Sequence, residues 1–132
     1  MERCSVHVAC VEEEQRFKWL ESERAGYDLG EDAIRRWVKH HWWGYLRARW
    51  IEHLQGKRNW VELDDSDFGL LNRHFEGNKL LLDDILGRIK AGQENLDIIQ
   101  WAIEFNINME EVFEILHMLD INSIRLSHRF DS

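Results

Sequence analysis

Residues 31–55 read EDAIRRWVKHHWWGYLRARWIEHLQ and form the longest segment in which apolar side chains recur at helical spacing. One face of a helix built from this segment would carry Ile34, Trp37, Val38, His41, Tyr45 and Ala48. The opposite side would carry Trp43, Leu46, Trp50 and Leu54. A surface helix has one apolar stripe, whereas this segment has two. The sequence therefore predicts either a central helix packed on both sides or a helix with a second partner.

Shorter segments with helical spacing lie on both sides of this one. Helices are predicted at about 12–25, 66–75, 78–91, 96–105 and 109–119, and the first three are followed within two residues by a glycine. Residues 1–10 are predicted as an irregular arm or a short strand, and residues from Ile121 onward as a loosely packed tail. We expect one all-α domain over residues 1–132, with five to six helices in bundle-like or orthogonal packing around a long central helix at about 31–55.

Composition restricts the class of protein. Two cysteines, Cys4 and Cys10, are too few for a disulfide scaffold and are typical of a reducing compartment. No apolar run has the length of a signal-peptide core or of a membrane span. These features predict a cytoplasmic protein that does not enter a membrane.

Charge is distributed unevenly along a chain whose net charge is −8. Residues 35–58, which we name the basic segment, contain seven Lys or Arg and one acid, whereas residues 92–124 contain seven acids and no Lys or Arg. Aromatic side chains alternate with the cations of the basic segment, namely Trp37, Trp42, Trp43, Tyr45 and Trp50. Three interpretations are open: core aromatics with internally paired arginines, an acidic protein partner or second copy, or a nucleic-acid or anionic ligand site. The negative net charge argues against nucleic acid.

A candidate interaction surface follows from the second stripe of the long helix and the cations beside it. Its residues are Arg36, Lys39, Trp43, Leu46, Arg47, Trp50, Leu54 and Arg58. If the rest of the chain packs only on the face that contains Ile34, this stripe is a solvent-exposed apolar patch, and such patches mark interfaces. A twofold pair of chains would then bury it, with Trp and Arg as the energetic anchors. Coverage of the stripe by the C-terminal helices is the competing expectation.

The last two predicted helices have the spacing of a helix-turn-helix pair, with Ala102, Asn106 and Val112 at the small, turn and packing positions. The second helix opens with Glu110 and Glu111, however, and carries no Lys or Arg. Carboxylates at that position repel phosphates. The pair is therefore interpreted as two core helices and not as a DNA-reading motif.

Residues with metal-ligand chemistry are present but scattered. Glu114 and His117 have the Glu-x-x-His spacing of di-iron bundles, but no second copy of that motif occurs. His41 falls on an apolar face, where a hydrogen-bonded core histidine is the expected explanation. The spacing of Cys4, His7 and Cys10 is typical of ligands, yet no fourth ligand lies beside them. The acids at 62–67 lack the ligand order of a calcium loop and are interpreted as a solvated linker.

The sequence does not reveal a function directly, since no nucleophile elbow or glycine-rich phosphate loop occurs. We therefore assign no catalytic, cofactor or metal residue and expect no cofactor. The favoured hypothesis is a small, non-enzymatic cytoplasmic protein that binds another protein or itself. The alternatives are a binder of nucleic acid or an anionic ligand through residues 35–58, and a metal-dependent enzyme of unknown class.

Overall fold

The computed structural model describes residues 3–120 and 125–128. The fold is all-α, as the periodicity predicts, and its helices pack into a bundle-like arrangement. Within the described residues the helices are α1 (Val6–Ala25), α2 (Glu31–Leu54), α3 (Leu70–His74), α4 (Lys79–Lys90), α5 (Asn95–Glu104) and α6 (Met109–Leu119). Two 3₁₀ turns, Asp65–Asp67 and Glu76–Asn78, and two short strands, β1 (Arg3–Cys4) and β2 (Asn59–Trp60), complete the architecture.

Helix α2 lies between two apolar cores, and each part of the helix contributes to one of them. The first, the N-terminal core, contains Val6, Cys10, Trp37, Trp42, Leu46, Trp60 and Leu63. The second, the C-terminal core, joins Ile51 and Leu54 of α2 to buried residues of α3, α4, α5 and α6. Trp50 packs against both cores. The N-terminal core contains residues of both predicted stripes, Trp37 and Leu46, so the two cores divide α2 along its length and not by face.

Helix α1 begins at Val6, six residues before the predicted start at 12. Ser5 is the N-cap and accepts a hydrogen bond from the Val8 amide at 3.3 Å. The first turn has no acid of its own, and Glu62 takes that place by accepting the Val6 amide at 2.7 Å and the Ser5 hydroxyl at 2.5 Å. A carboxylate is favourable there because amides at a helix N-terminus carry partial positive charge. The predicted start of α1 at residue 12 was wrong, because Ser5 and Glu62 cap the helix at Val6.

The expectation of a short strand or an irregular arm over residues 1–10 holds only in part, because Arg3 and Cys4 form a strand whereas Val6–Cys10 belong to α1. Strand β1 pairs in parallel with β2, with Arg3 opposite Asn59 and Cys4 opposite Trp60. The Val61 amide continues the ladder by donating to the Cys4 carbonyl at 2.8 Å. This short ladder holds the start of α1 beside the segment that follows α2.

His53, which is fully buried, organises the connection after α2. Its Nδ1 accepts the Trp60 amide at 3.2 Å, which leaves the proton on Nε2 to donate to the Asp64 carbonyl at 2.7 Å. The Gly69 amide donates to the His53 carbonyl at 2.9 Å. Gly56 and Gly69 touch through their backbones, and a Cβ on Gly56 would lie 3.2 Å from the Gly69 Cα. Gly69, at φ 73°, also divides the predicted helix at 66–75 into a 3₁₀ turn and α3.

The last described segment, residues 125–128, is not a loose tail. The Leu126 carbonyl accepts the Trp42 indole N–H at 2.8 Å, and the His128 side chain is buried. The prediction of loose packing from Ile121 onward is therefore wrong for this segment, because a buried indole N–H needs an acceptor and finds it there. Residues 121–124 and 129–132 lie outside the described part of the chain.

Leu46 provides a test of the two-sided packing of α2. Its side chain is 0% exposed within one chain. We expect Leu46→Ala to lower the free energy of unfolding by about 2–5 kcal/mol, because it removes buried methyl groups and leaves a cavity. Leu80, which is 87% exposed on α4, is the control, and Leu80→Ala should change stability by less than about 0.5 kcal/mol. Urea denaturation measures both, and equal small effects would contradict the burial of Leu46.

Glu62 provides a test that depends on pH. Burial of this carboxyl raises its pKa, but the hydrogen bonds from Ser5 and Val6 outweigh burial and leave the pKa below its ordinary value. A lowered pKa stabilises the fold above the unfolded pKa of about 4.3 and loses that effect as pH falls through the folded pKa. We expect Glu62→Gln to cost about 1 kcal/mol at neutral pH, since the carboxylate is partly exposed to solvent. Denaturation across the acid range should show this cost shrinking toward low pH, and a constant cost would argue against the charged hydrogen bonds.

Candidate functional site

The predicted apolar stripe of α2 is divided between core and surface. Leu46 and Leu54 are fully buried within the chain, and Trp50 is half-buried with its indole N–H donating to the Leu119 carbonyl at 2.6 Å. Trp43 alone among the four stripe residues is exposed, at 48%. The stripe is therefore not a continuous exposed patch. Leu54 packs in the C-terminal core, Trp50 packs against both cores and Leu46 packs in the N-terminal core, so the competing expectation of coverage by the C-terminal helices holds for only part of the stripe.

A smaller basic surface remains around Trp43, and we name it the α2 patch. Its members are Arg36, Lys39, Trp43 and Arg125. The first three follow one another at spacings of three and four residues, which places them on one face of α2. All four are exposed, and the Arg125 guanidinium lies 5.8 Å from the centre of a Trp43 ring. Sequence reasoning missed Arg125 because it lies more than eighty residues from Trp43 along the chain.

Several other cations of the basic segment are paired inside the chain. Arg35 lies 3.6 Å from Glu31, and Arg47 donates to Glu94 at 3.1 Å. Arg49 pairs with Glu52 and lies over the Tyr45 ring, while Arg58 lies over Trp60 beyond the end of α2. Arg36 and Lys39 make no ion pair with any residue in the described ranges. The α2 patch therefore presents positive charge to solvent.

Most aromatic rings of the basic segment belong to the protein interior. Trp37 and Trp42 are buried, and Tyr45 and Trp50 are half-buried. Burial raises the pKa of the Tyr45 phenol, although Arg49 acts in the opposite direction. These rings are not available as a row of stacking surfaces.

The residues predicted with ligand chemistry do not come together as the sequence grouped them. His41 is exposed, so its interpretation as a core histidine is wrong, and His53 has that role. Glu114 and His117 are both exposed on α6, and Cys4 is half-buried in β1. His41 lies on the same face of α2 as Trp37, and its ring centre is 5.6 Å from that of Phe17 on α1, but the side chain stays exposed at the edge of this contact.

The C-terminal pair has the shape that its spacing predicts. Ala102 and Val112 are fully buried, and Asn106 adopts a left-handed conformation at φ 54° in the turn. Glu110 is exposed on α6, while Glu111 accepts a hydrogen bond from the Asn78 side chain. The acids keep this pair poorly suited to phosphate contact.

One cluster of reactive side chains was not predicted. Cys10 and Glu14 on α1 meet His128 from the C-terminal segment in the N-terminal core. The Cys10 thiol donates to Glu14 Oε1 at 3.3 Å and lies 3.8 Å from His128 Nε2, which itself contacts Glu14 Oε1. The signal on α1 was the spacing of His7, Cys10 and Glu14 at three and four residues, which places them on one helix face. It was missed because α1 was predicted to begin after Cys10.

Comparison of the chain with protein-family models, with curated proteins and with solved structures gives no match. None of the helices in the described ranges combines the length and the apolar character that crossing a membrane requires. Functional inference therefore depends on the two sites just described, the α2 patch and the buried cluster.

Two adjacent tryptophans, Trp42 and Trp43, test which side chains of α2 lie in the core and which lie at the surface. We expect Trp43→Ser to change the free energy of unfolding by about 1 kcal/mol or less, since it removes an exposed ring and one cation–π contact. Trp42→Ser should cost about 3–5 kcal/mol, because that ring is 1% exposed and packs in the N-terminal core. Chemical denaturation of both variants tests this difference, and comparable costs would show that Trp43 is not a surface residue.

Proposed function

We propose that this protein is a small, non-enzymatic binding module that holds an acidic segment of another protein on the α2 patch. The observation that carries the proposal is an exposed tryptophan surrounded by three cations, two of which have no ion-pair partner among the described residues. Tryptophan and arginine are the residues that most often dominate the free energy of binding at protein interfaces. A partner with carboxylates around an apolar side chain would complement this surface.

Protein is favoured over nucleic acid by the small number of accessible rings. Single-stranded nucleic acid is bound on successive aromatic faces along a basic groove. Among the Trp and Tyr side chains of the basic segment, Trp43 alone is exposed, and Trp37 and Trp42 are packed inside. A net charge of −8 would also repel a long polyanion beyond the immediate patch.

A foreign partner is favoured over a second copy of the chain. The acids at 92–124 would supply complementary charge, but two chains of the same strongly negative net charge repel each other. Placement in the cytoplasm belongs to the same proposal and is supported by Cys4 and Cys10, which form no disulfide in the described part of the chain.

The test uses a fluorescent helical peptide in which glutamates flank a leucine stripe, titrated with the purified full chain and followed by anisotropy. Arg36→Ala/Lys39→Ala should weaken binding by about tenfold, because it removes the two unpaired cations of the α2 patch. The matched control is Arg16→Ala/Arg24→Ala, which changes net charge equally on α1, where each arginine already lies beside an acid. The control should stay within about twofold of the unmodified chain.

Three outcomes would overturn the proposal. The first is no binding of the peptide by the unmodified chain at low salt. The second is equal weakening by the patch and control variants, which would indicate an effect of net charge alone. The third is tighter binding of an oligothymidylate than of the peptide, which would identify nucleic acid as the ligand class. Sedimentation of the chain alone reports whether a second copy occupies the patch.

A further inference from the structure

The geometry of Cys10, Glu14 and His128 points to a buried zinc site that links helix α1 to the C-terminal segment. The three side chains are 0%, 0% and 1% exposed, respectively. One ligand atom from each, the thiol sulfur, a carboxylate oxygen and a ring nitrogen, lies within 4.8 Å of the other two. This site is separate from the α2 patch and rests on different observations.

Two of the three separations of these atoms agree with a tetrahedral metal site. Zinc binds sulfur at about 2.3 Å and imidazole nitrogen or carboxylate oxygen at about 2.0–2.2 Å, so its ligands lie about 3.4–3.6 Å from one another. The sulfur of Cys10 lies 3.3 Å from Glu14 Oε1 and 3.8 Å from His128 Nε2. The Glu14 and His128 atoms contact each other, and a rotation of the carboxylate would admit the ion between them.

The chemistry of the three ligands selects zinc. A thiolate is a soft ligand, imidazole suits zinc, copper, iron and nickel, and a carboxylate completes the mixed sets that zinc accepts. The charges of one thiolate, one carboxylate and a divalent cation cancel, while the imidazole remains neutral. A neutral site is what a core made of Trp37, Trp42 and Leu46 can surround at low cost in desolvation.

A nucleophilic triad is a poorer interpretation of the same residues. In a Cys–His–acid triad the two imidazole nitrogens have separate partners, one facing the nucleophile and one facing the acid. Here both Cys10 and Glu14 face the same nitrogen, Nε2 of His128. The sulfur also belongs to a fully buried residue, so a substrate has no access to it. Convergence on one point is the arrangement of a metal site.

Zinc would hold the C-terminal segment on α1. His128 supplies the ligand from that segment, two residues after the Leu126 carbonyl that accepts the Trp42 indole N–H. Binding releases the thiol proton, so the affinity for zinc should fall as pH is lowered. Because the ligands come together only in the folded chain, zinc should raise the temperature of unfolding.

The experiment begins with the unmodified full chain. Mass spectrometry after purification with zinc should find about one zinc ion per chain. Cobalt(II), which replaces zinc in tetrahedral sites, should give the near-ultraviolet absorption band of thiolate-to-metal charge transfer. Absence of both signals would overturn the proposal and would leave a metal-free hydrogen-bonded cluster.

Variants identify the ligands. Cys10→Ser should abolish the cobalt band, and Cys4→Ser, at the other cysteine, should keep it. His128→Gln should weaken zinc binding by about tenfold or more, whereas His117→Gln, at an exposed histidine, should not. A cobalt band that survives Cys10→Ser, or equal zinc affinity after His128→Gln, would contradict the assignment.

If circular dichroism shows that a core variant does not fold, the cobalt spectra of the unmodified chain and of Cys4→Ser still decide whether Cys10 binds the metal. Arg36→Ala/Lys39→Ala should bind zinc as the unmodified chain does.

Discussion

Helix α2 has apolar side chains on two faces, and the fold depends on burying both of them. Its N-terminal portion packs with α1, and its C-terminal portion packs with α3, α4, α5 and α6. Trp50 contacts both groups, so the two cores meet at this side chain. If Leu46 and Leu54 were exposed to solvent, each would lose about 1.5–3 kcal/mol of hydrophobic stabilisation. Packing of the other parts of the chain against α2 buries both side chains within one chain.

The uneven charge of the sequence is partly neutralised by the same packing. The C-terminal helices lie on α2, which brings Glu94 to Arg47 and joins the acidic and basic parts of the chain. Other arginines find acids on their own helix, as Arg35 and Arg49 do. Exposed pairs of this kind add little stability. Their main consequence is that, of the cations on the face of α2 with Trp43, Arg36 and Lys39 have no ion-pair partner in the described ranges, and the basic segment is reduced to a narrow candidate site.

The two proposed sites are connected through the C-terminal segment. His128 occupies the N-terminal core, and three residues earlier Arg125 lies over Trp43 at the surface. The contacts that hold His128 beside Cys10 and Glu14 therefore also position Arg125, a cation of the α2 patch. Zinc at the buried cluster would make the geometry of the patch sensitive to metal, since residues 125–128 form a short segment with one end in each site.

Local features of the sequence determined the helices. The spacing of apolar residues gave α2, α4, α5 and α6 to within about one residue, because a stripe with a period of about 3.6 residues is a property of each helix alone. Gly26 ends α1 and Asn108 caps α6, and both signals act over a few residues. Ser5, the N-cap of α1, is a signal of the same kind, although the helix was predicted to begin at 12.

Only the tertiary structure decided which surfaces are free and which reactive groups meet. Sequence periodicity assigns Trp43, Leu46, Trp50 and Leu54 to one stripe, but exposure depends on what the other helices cover. The two histidines illustrate the same point, since His41 was expected to be buried but is exposed, whereas His53 is the histidine that is fully buried. The cluster of Cys10, Glu14 and His128 joins residues more than a hundred positions apart. No local pattern encodes such a contact, because it exists only once α1, α2 and the C-terminal segment pack around the same core.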